Sequence, residues 1–218
     1  MAVSANDSRP LFRLNPILDV DVAARAGWTL VDLASACLNG GARFLQLRAK
    51  ALSGAAALDL ASQLCEIAHP AGAVVVVNDR ADIARLSGAD GVHLGQHDLT
   101  PDASRTIVGP GAIVGLSTHT LAQVDAALDA PVTYIAIGPV FSTKTKATGY
   151  EAIGLDCVRS AAARARSRGL DLVAIGGITL DRAADLINAG ATTVAVITDL
   201  LITGDPEARV RAYLARLA

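Results

Sequence analysis

The chain has 218 residues, 52% of them hydrophobic, enough to bury one large core and within the size of an undivided alternating α/β barrel. A formal charge of -2 leaves no basic surplus for nucleic acid, and the longest apolar run, Ala71 to Val77, is too short to cross a bilayer. Cys37, Cys65 and Cys157 are widely spaced in Ala/Leu-rich helical contexts and read as reduced core residues, and His69, His93, His97 and His119 fit no zinc spacing.

Residues 1–13 are polar and mixed, without the apolar stretch of a secretory signal, so they read as an N-terminal extension of a cytoplasmic protein. From residue 14 to 218, short β-branched runs alternate with segments of helical period. The predicted strands are Asn15 to Asp19, Phe44 to Leu47, Ala73 to Val77, Gly91 to Leu94, Ile113 to Leu116, Thr133 to Ile137, Leu172 to Ile175 and Thr193 to Ile197. Ser53, Thr100 before Pro101, Thr120 with Gln123, and Thr179 mark helix starts, and Gly40, Gly88 and Gly190 mark helix stops. Eight βα units in one domain predict a (β/α)8 TIM barrel, whose working face is built from the loops at the C-terminal ends of the strands.

The polar strand endings should therefore meet at one mouth. In the second unit, a period of two puts Gln46, Arg48 and, if the strand runs on, Lys50 on one face. The third ends Asn78-Asp79 and the fourth runs through Gln96-His97-Asp98, so two carboxylates can approach one point. Magnesium commonly takes one or two protein carboxylates plus phosphate oxygens, so Asp79 and Asp98 beside Arg48 and Lys50 suggest a metal–diphosphate site. The bland alternative is that each aspartate caps the helix that follows it. The fifth ending offers Ser117 as a ligand contact, with His119 read as a surface residue and His93, inside strand four, as a hydrogen-bonded structural histidine. The sixth, Gly138 to Lys146, sets hydroxyls and ammonium groups in a glycine-started loop. Gly176-Gly177 and Ile197-Thr198 close strands seven and eight, where barrels commonly bind phosphate, and imply a second anion site.

In order along the chain, Gln-Leu-Arg-x-Lys at 46–50, Val-Asn-Asp-Arg at 77–80 and His-Leu-Gly-Gln-x-Asp at 93–98 are followed by Gly-Leu-Ser-Thr-His-Thr at 115–120, Gly-Pro-Val-Phe-x-Thr-x-Thr-Lys at 138–146 and Ile-Gly-Gly-Ile at 175–178. With these motifs the sequence closely resembles the thiamine phosphate synthase family. The resemblance implies a transferase that joins hydroxymethylpyrimidine diphosphate to hydroxyethylthiazole phosphate with release of diphosphate. It implies that Gln46, Leu47, Arg48, Ala49, Lys50, Asn78, Ser117 and Lys146 hold the pyrimidine diphosphate, with Arg48, Lys50, Ser117 and Lys146 catalytic. It places Asp79 and Asp98 on magnesium, and Thr143, Lys144, Thr145, Gly177, Ile197 and Thr198 on the thiazole phosphate. Strand one departs from the family by reading Pro16-Ile17-Leu18-Asp19-Val20 in place of a Tyr-containing run, and Ala49 stands where an acidic residue is common. A thiazole tautomerase-like barrel and a non-catalytic precursor-binding protein stay open as alternatives, as does a homodimer.

Overall fold

The computed structural model describes residues 12–143 and 149–218. Its strands are β1 (Leu14–Asp19), β2 (Phe44–Arg48), β3 (Val74–Asn78), β4 (Gly91–Leu94), β5 (Ile113–Thr118), β6 (Tyr134–Ile137), β7 (Asp171–Ile175) and β8 (Thr193–Val196). Every neighbouring pair is parallel, and β8 returns to β1, so the sheet closes as a (β/α)8 barrel. The crossover helices are α1 (Val20–Arg25), α2 (Leu30–Asn39), α3 (Gly54–Ala68), α4 (Ala81–Ser87), α5 (Pro101–Val108), α6 (Leu121–Ala127), α7 (Gly154–Ser167) and α8 (Leu180–Asn188), and α9 (Pro206–Leu217) completes the outer layer.

The period of two divides each strand between two cores. Leu14, Leu18, Leu45, Leu47, Val75, Val77, Ile135 and Ile137 pack outward against the helices. Ile17, Phe44, Val76, Tyr134, Ala136, Val173 and Ala195 form a second cluster that fills the barrel. Tyr134 is its largest member and is wholly buried. Room for its ring comes from Gly115 on the next strand, where an added Cβ would lie 2.1 Å from Tyr134 Cζ. The ring meets Phe44 edge-on at 5.9 Å.

Local chemistry sets the helix ends. Ser53 accepts from Ala56 N, Thr100 from Ala103 N and Thr120 from Gln123 N, each satisfying an amide of the first turn. Thr179 stands at the N-cap of α8 without a side-chain bond. Gln123 departs from a capping box: its Oε1 accepts from His119 N, one residue before the cap. Gly88 ends α4 in the left-handed region at φ 75°, which suits a residue without Cβ. Cys37 and Cys65 are buried as expected, whereas Cys157 is only half-buried, because its position on α7 turns it partly away from the sheet. Burial pushes the Cys37 thiol up to about 12 and Cys65 to about 11, so neither offers a ready thiolate.

Candidate active site

Polar side chains replace apolar ones inside the barrel toward the C-terminal ends of β1, β2 and β3. Gln46, buried, donates through Nε2 to Asn78 Oδ1 at 3.0 Å and accepts from Asn15 Nδ2 at 3.4 Å. Two residues on, Arg48 forms an ion pair with Asp19, its register partner on β1. Asp19 is 3% exposed and its other oxygen accepts from Val22 N at 3.0 Å, capping α1. Lys50 lies beyond the end of β2, and its Nζ reaches Asp79 Oδ2 at 3.0 Å. Lys50, Asn78, Asp79 and Ala49 line a pocket of about 210 Å³, with Leu47 in its wall.

Asp79 follows β3 in a left-handed backbone conformation, φ 67°, uncommon for a residue with a side chain. Burial and the adjacent Asp98 raise its carboxyl above the usual carboxylate range, against the opposing pull of Lys50. Asp98 accepts from Gly95 N at 2.7 Å, closing the turn after β4. Neither aspartate caps a helix, contrary to the bland expectation: Arg80 occupies the N-cap of α4 and Thr100 caps α5. The reason is positional, since Asp79 stands one residue too early and Asp98 two. Among the described residues no group of three or more His, Cys, Asp or Glu side chains is placed to hold a metal.

Ser117, at the end of β5, faces the centre of the mouth. Its Oγ lies 2.8 Å from His93 Nε2, and His93 Nδ1 lies 2.8 Å from the hydroxyl of Tyr134. Gln96 Nε2 donates to the Ser117 carbonyl at 2.6 Å. His93 is buried and hydrogen-bonded, as its place in strand four suggested. His119 is not the surface residue expected. Its ring is half-buried, because Gly138 and Tyr150 close over it: Nδ1 lies 2.6 Å from the Gly138 carbonyl, and the ring stacks on Tyr150 at 4.0 Å.

The β5 to β8 side of the mouth opens into a cavity of about 630 Å³ lined by Ser117, Thr143, Gly177, Ile197 and Thr198 together with Arg25. Gly176 and Gly177 take φ 103° and 63°, and a Cβ on Gly177 would lie 2.6 Å from the Ser142 carbonyl, so the turn admits only glycine there. Arg25 sits one turn beyond Val22, whose side chain packs in the cluster containing Ile197, and is a cation without an ion pair among the described residues. Beneath this loop Asp199, buried, is held by Arg209 Nη2 at 2.6 Å and by the hydroxyl of Tyr213 from α9. Lys144, Thr145 and Lys146 lie outside the described residues.

The arrangement therefore has two halves. One side pairs carboxylates with cations, the other is a larger cavity walled by glycine, hydroxyl and apolar groups, and Ser117 stands between. A family model described as thiamine monophosphate synthase matches residues 18–200. The chain belongs to this family. A thiamine-phosphate synthase of Roseiflexus sp. (strain RS-1) is 41% identical over 189 residues, 87% of this chain and 79% of that one. One from Chlorobium luteolum (strain DSM 273 / BCRC 81028 / 2530) is 43% identical over 188 residues, 85% of this chain and 86% of the relative. Among solved structures, thiamine phosphate pyrophosphorylase from Pyrococcus furiosus superposes with a TM-score of 0.84 at 27% identity, covering 94% of this chain and 95% of its own. A 3-hexulose-6-phosphate synthase at 16% identity and TM-score 0.67 shares the fold alone.

Sequence reasoning missed six residues that shape this thiamine monophosphate synthase family mouth. Asp19 carried a signal, an acidic residue at the end of a predicted strand, but its pairing with Arg48 depends on register. Tyr134 was visible only as an inward position of β6. Arg25 lay on a helix too short to show amphipathic period, and the Asp199, Arg209 and Tyr213 contacts join residues ten and fourteen positions apart.

Proposed function

We propose that the protein condenses 4-amino-5-hydroxymethyl-2-methylpyrimidine diphosphate with 4-methyl-5-(2-phosphoethyl)thiazole, giving thiamine phosphate and diphosphate. The observation that carries this reading is the two-sided mouth, with charge on the β2 to β4 side and a roomy cavity across Ser117. In this reading Gln46, Arg48, Lys50, Asn78 and Ser117 hold the pyrimidine diphosphate, joined by Lys146. Thr143, Gly177, Ile197, Thr198 and Arg25 hold the thiazole phosphate, joined by Lys144 and Thr145. The C–O bond from the pyrimidine methylene to diphosphate breaks, the diphosphate leaves with the electron pair, and the thiazole nitrogen supplies the pair for the new C–N bond. No proton must move, so the absence of an activated thiol at the mouth costs the reaction nothing. The work of the site is to position two molecules and to stabilise the departing charge.

Asp79 and Asp98 fit a magnesium ion. Their carboxylates approach closely enough to raise Asp79, with Lys50 as the cation beside them, an arrangement a divalent ion would relieve. Bound there with the substrate's phosphate oxygens, magnesium would neutralise the leaving diphosphate. Among the described residues no helix is long and apolar enough to cross a membrane, and we take the protein to act in the cytoplasm. The deciding experiment supplies both precursors to purified protein, with magnesium and then with chelator. Thiamine phosphate formed only with magnesium is the expected result; no product from folded protein under either condition would overturn the assignment.

A further inference from the structure

Ser117 can donate to a substrate only if its hydroxyl hydrogen points into the mouth, and the groups behind it decide whether it does. Tyr134 is wholly buried, and burial pushes its phenol far above its usual range, so it keeps its proton. Among the described residues the hydrogen-bond partner of its hydroxyl is His93 Nδ1, at 2.8 Å. An O–H in that position has to donate, because a buried donor left without an acceptor forfeits its hydrogen bond to water and gains none in return. Nδ1 is then the acceptor, and the ring carries its hydrogen on Nε2. Nε2–H in turn points at Ser117 Oγ, 2.8 Å away, and occupies a lone pair of the serine.

We propose that Tyr134 and His93 form a buried relay of positioning residues that fixes Ser117 as a hydrogen-bond donor, aimed at an acceptor atom of the pyrimidine diphosphate. The reverse order, with Ser117 donating to His93, would spend the serine hydrogen inside the barrel and strand the Tyr134 proton. The geometry supports a rigid chain: Tyr134 is wedged between Gly115 and Phe44, and its ring stacks on His93 at 5.5 Å with planes 19° apart. Gln96 fixes the other end by holding the Ser117 carbonyl. The proposal rests on the assignment of Ser117 to the pyrimidine side.

Two measurements test it. A long-range 1H–15N spectrum of protein labelled at histidine should show His93 as the Nε2–H tautomer, and Tyr134→Phe, which removes only the hydroxyl, should yield a mixture of tautomers. The Nδ1–H form in the unaltered protein would overturn the relay. In turnover assays, Tyr134→Phe and His93→Asn should each lower kcat, His93→Asn by about tenfold, the size of one hydrogen bond to a reacting group. In a Ser117→Ala background the same changes should have little further effect. Equal losses in both backgrounds would mean that the two residues act on packing and not through Ser117. Unaltered protein that makes no thiamine phosphate would sink the proposed function, while the spectrum would still decide the relay.

Discussion

Removing the Asp19 carboxylate strikes the barrel and its mouth together. The side chain caps α1 and neutralises Arg48, whose side chain is 18% exposed and whose buried Nε has no hydrogen-bond partner among the described residues. Asp19→Ala loses the cap, about 1 kcal/mol, and breaks an ion pair from one side. Fully buried, that second loss is about 3–5 kcal/mol, and the partial exposure of Arg48 to the mouth reduces it to roughly 2–4 kcal/mol. The sum, about 4 kcal/mol, should lower the unfolding midpoint by roughly 10–15 °C in a domain of this size. Asp19→Asn keeps an oxygen for Val22 N and should lose about 1 kcal/mol less. Urea unfolding of both variants, with Arg48→Met alone and combined, separates the cap from the pair. If Arg48 is a diphosphate ligand, inorganic diphosphate should stabilise Asp19→Asn more than the unaltered protein, since the ligand no longer shares the guanidinium with a carboxylate. Asp19→Ala within 1 kcal/mol of the unaltered protein, or equal losses in the two variants, would refute this account.

Gly177→Ala should destabilise by about 1–3 kcal/mol through its positive φ and raise KM for the thiazole phosphate, checked by thermal unfolding and steady-state kinetics. Arg25→Gln should raise KM for the thiazole phosphate about tenfold and leave KM for the pyrimidine diphosphate unchanged; equal effects on both would remove Arg25 from the thiazole side. Gly115→Ala should displace the Tyr134 ring and lower stability by about 1–3 kcal/mol, seen as a lower urea midpoint.

Eight strands were legible because each is a short, mostly apolar run with a polar or glycine ending, and the observed bounds differ from those expected by at most two residues. The mouth was legible one strand at a time, since strand ends in a barrel converge whatever the register. What joins two strands was hidden. The pairing of Asp19 with Arg48 and the line from Tyr134 to Ser117 follow from how neighbouring strands are staggered, which alternation within one strand does not report. His119 misled for the same reason: its partners, the Gly138 carbonyl and Tyr150, come from a loop that lies far along the chain.

The tie between Asp199 and α9 makes the last helix part of the catalytic end of the barrel. All eight strands precede it, yet the turn carrying Ile197 and Thr198 takes its anchor from Arg209 and Tyr213. A chain leaving the ribosome would thus have every strand in hand before it had the means to hold the loop after the last of them still. Ending translation shortly before Arg209 would remove both anchors of that turn and take Val210, Tyr213 and Leu217 out of the core.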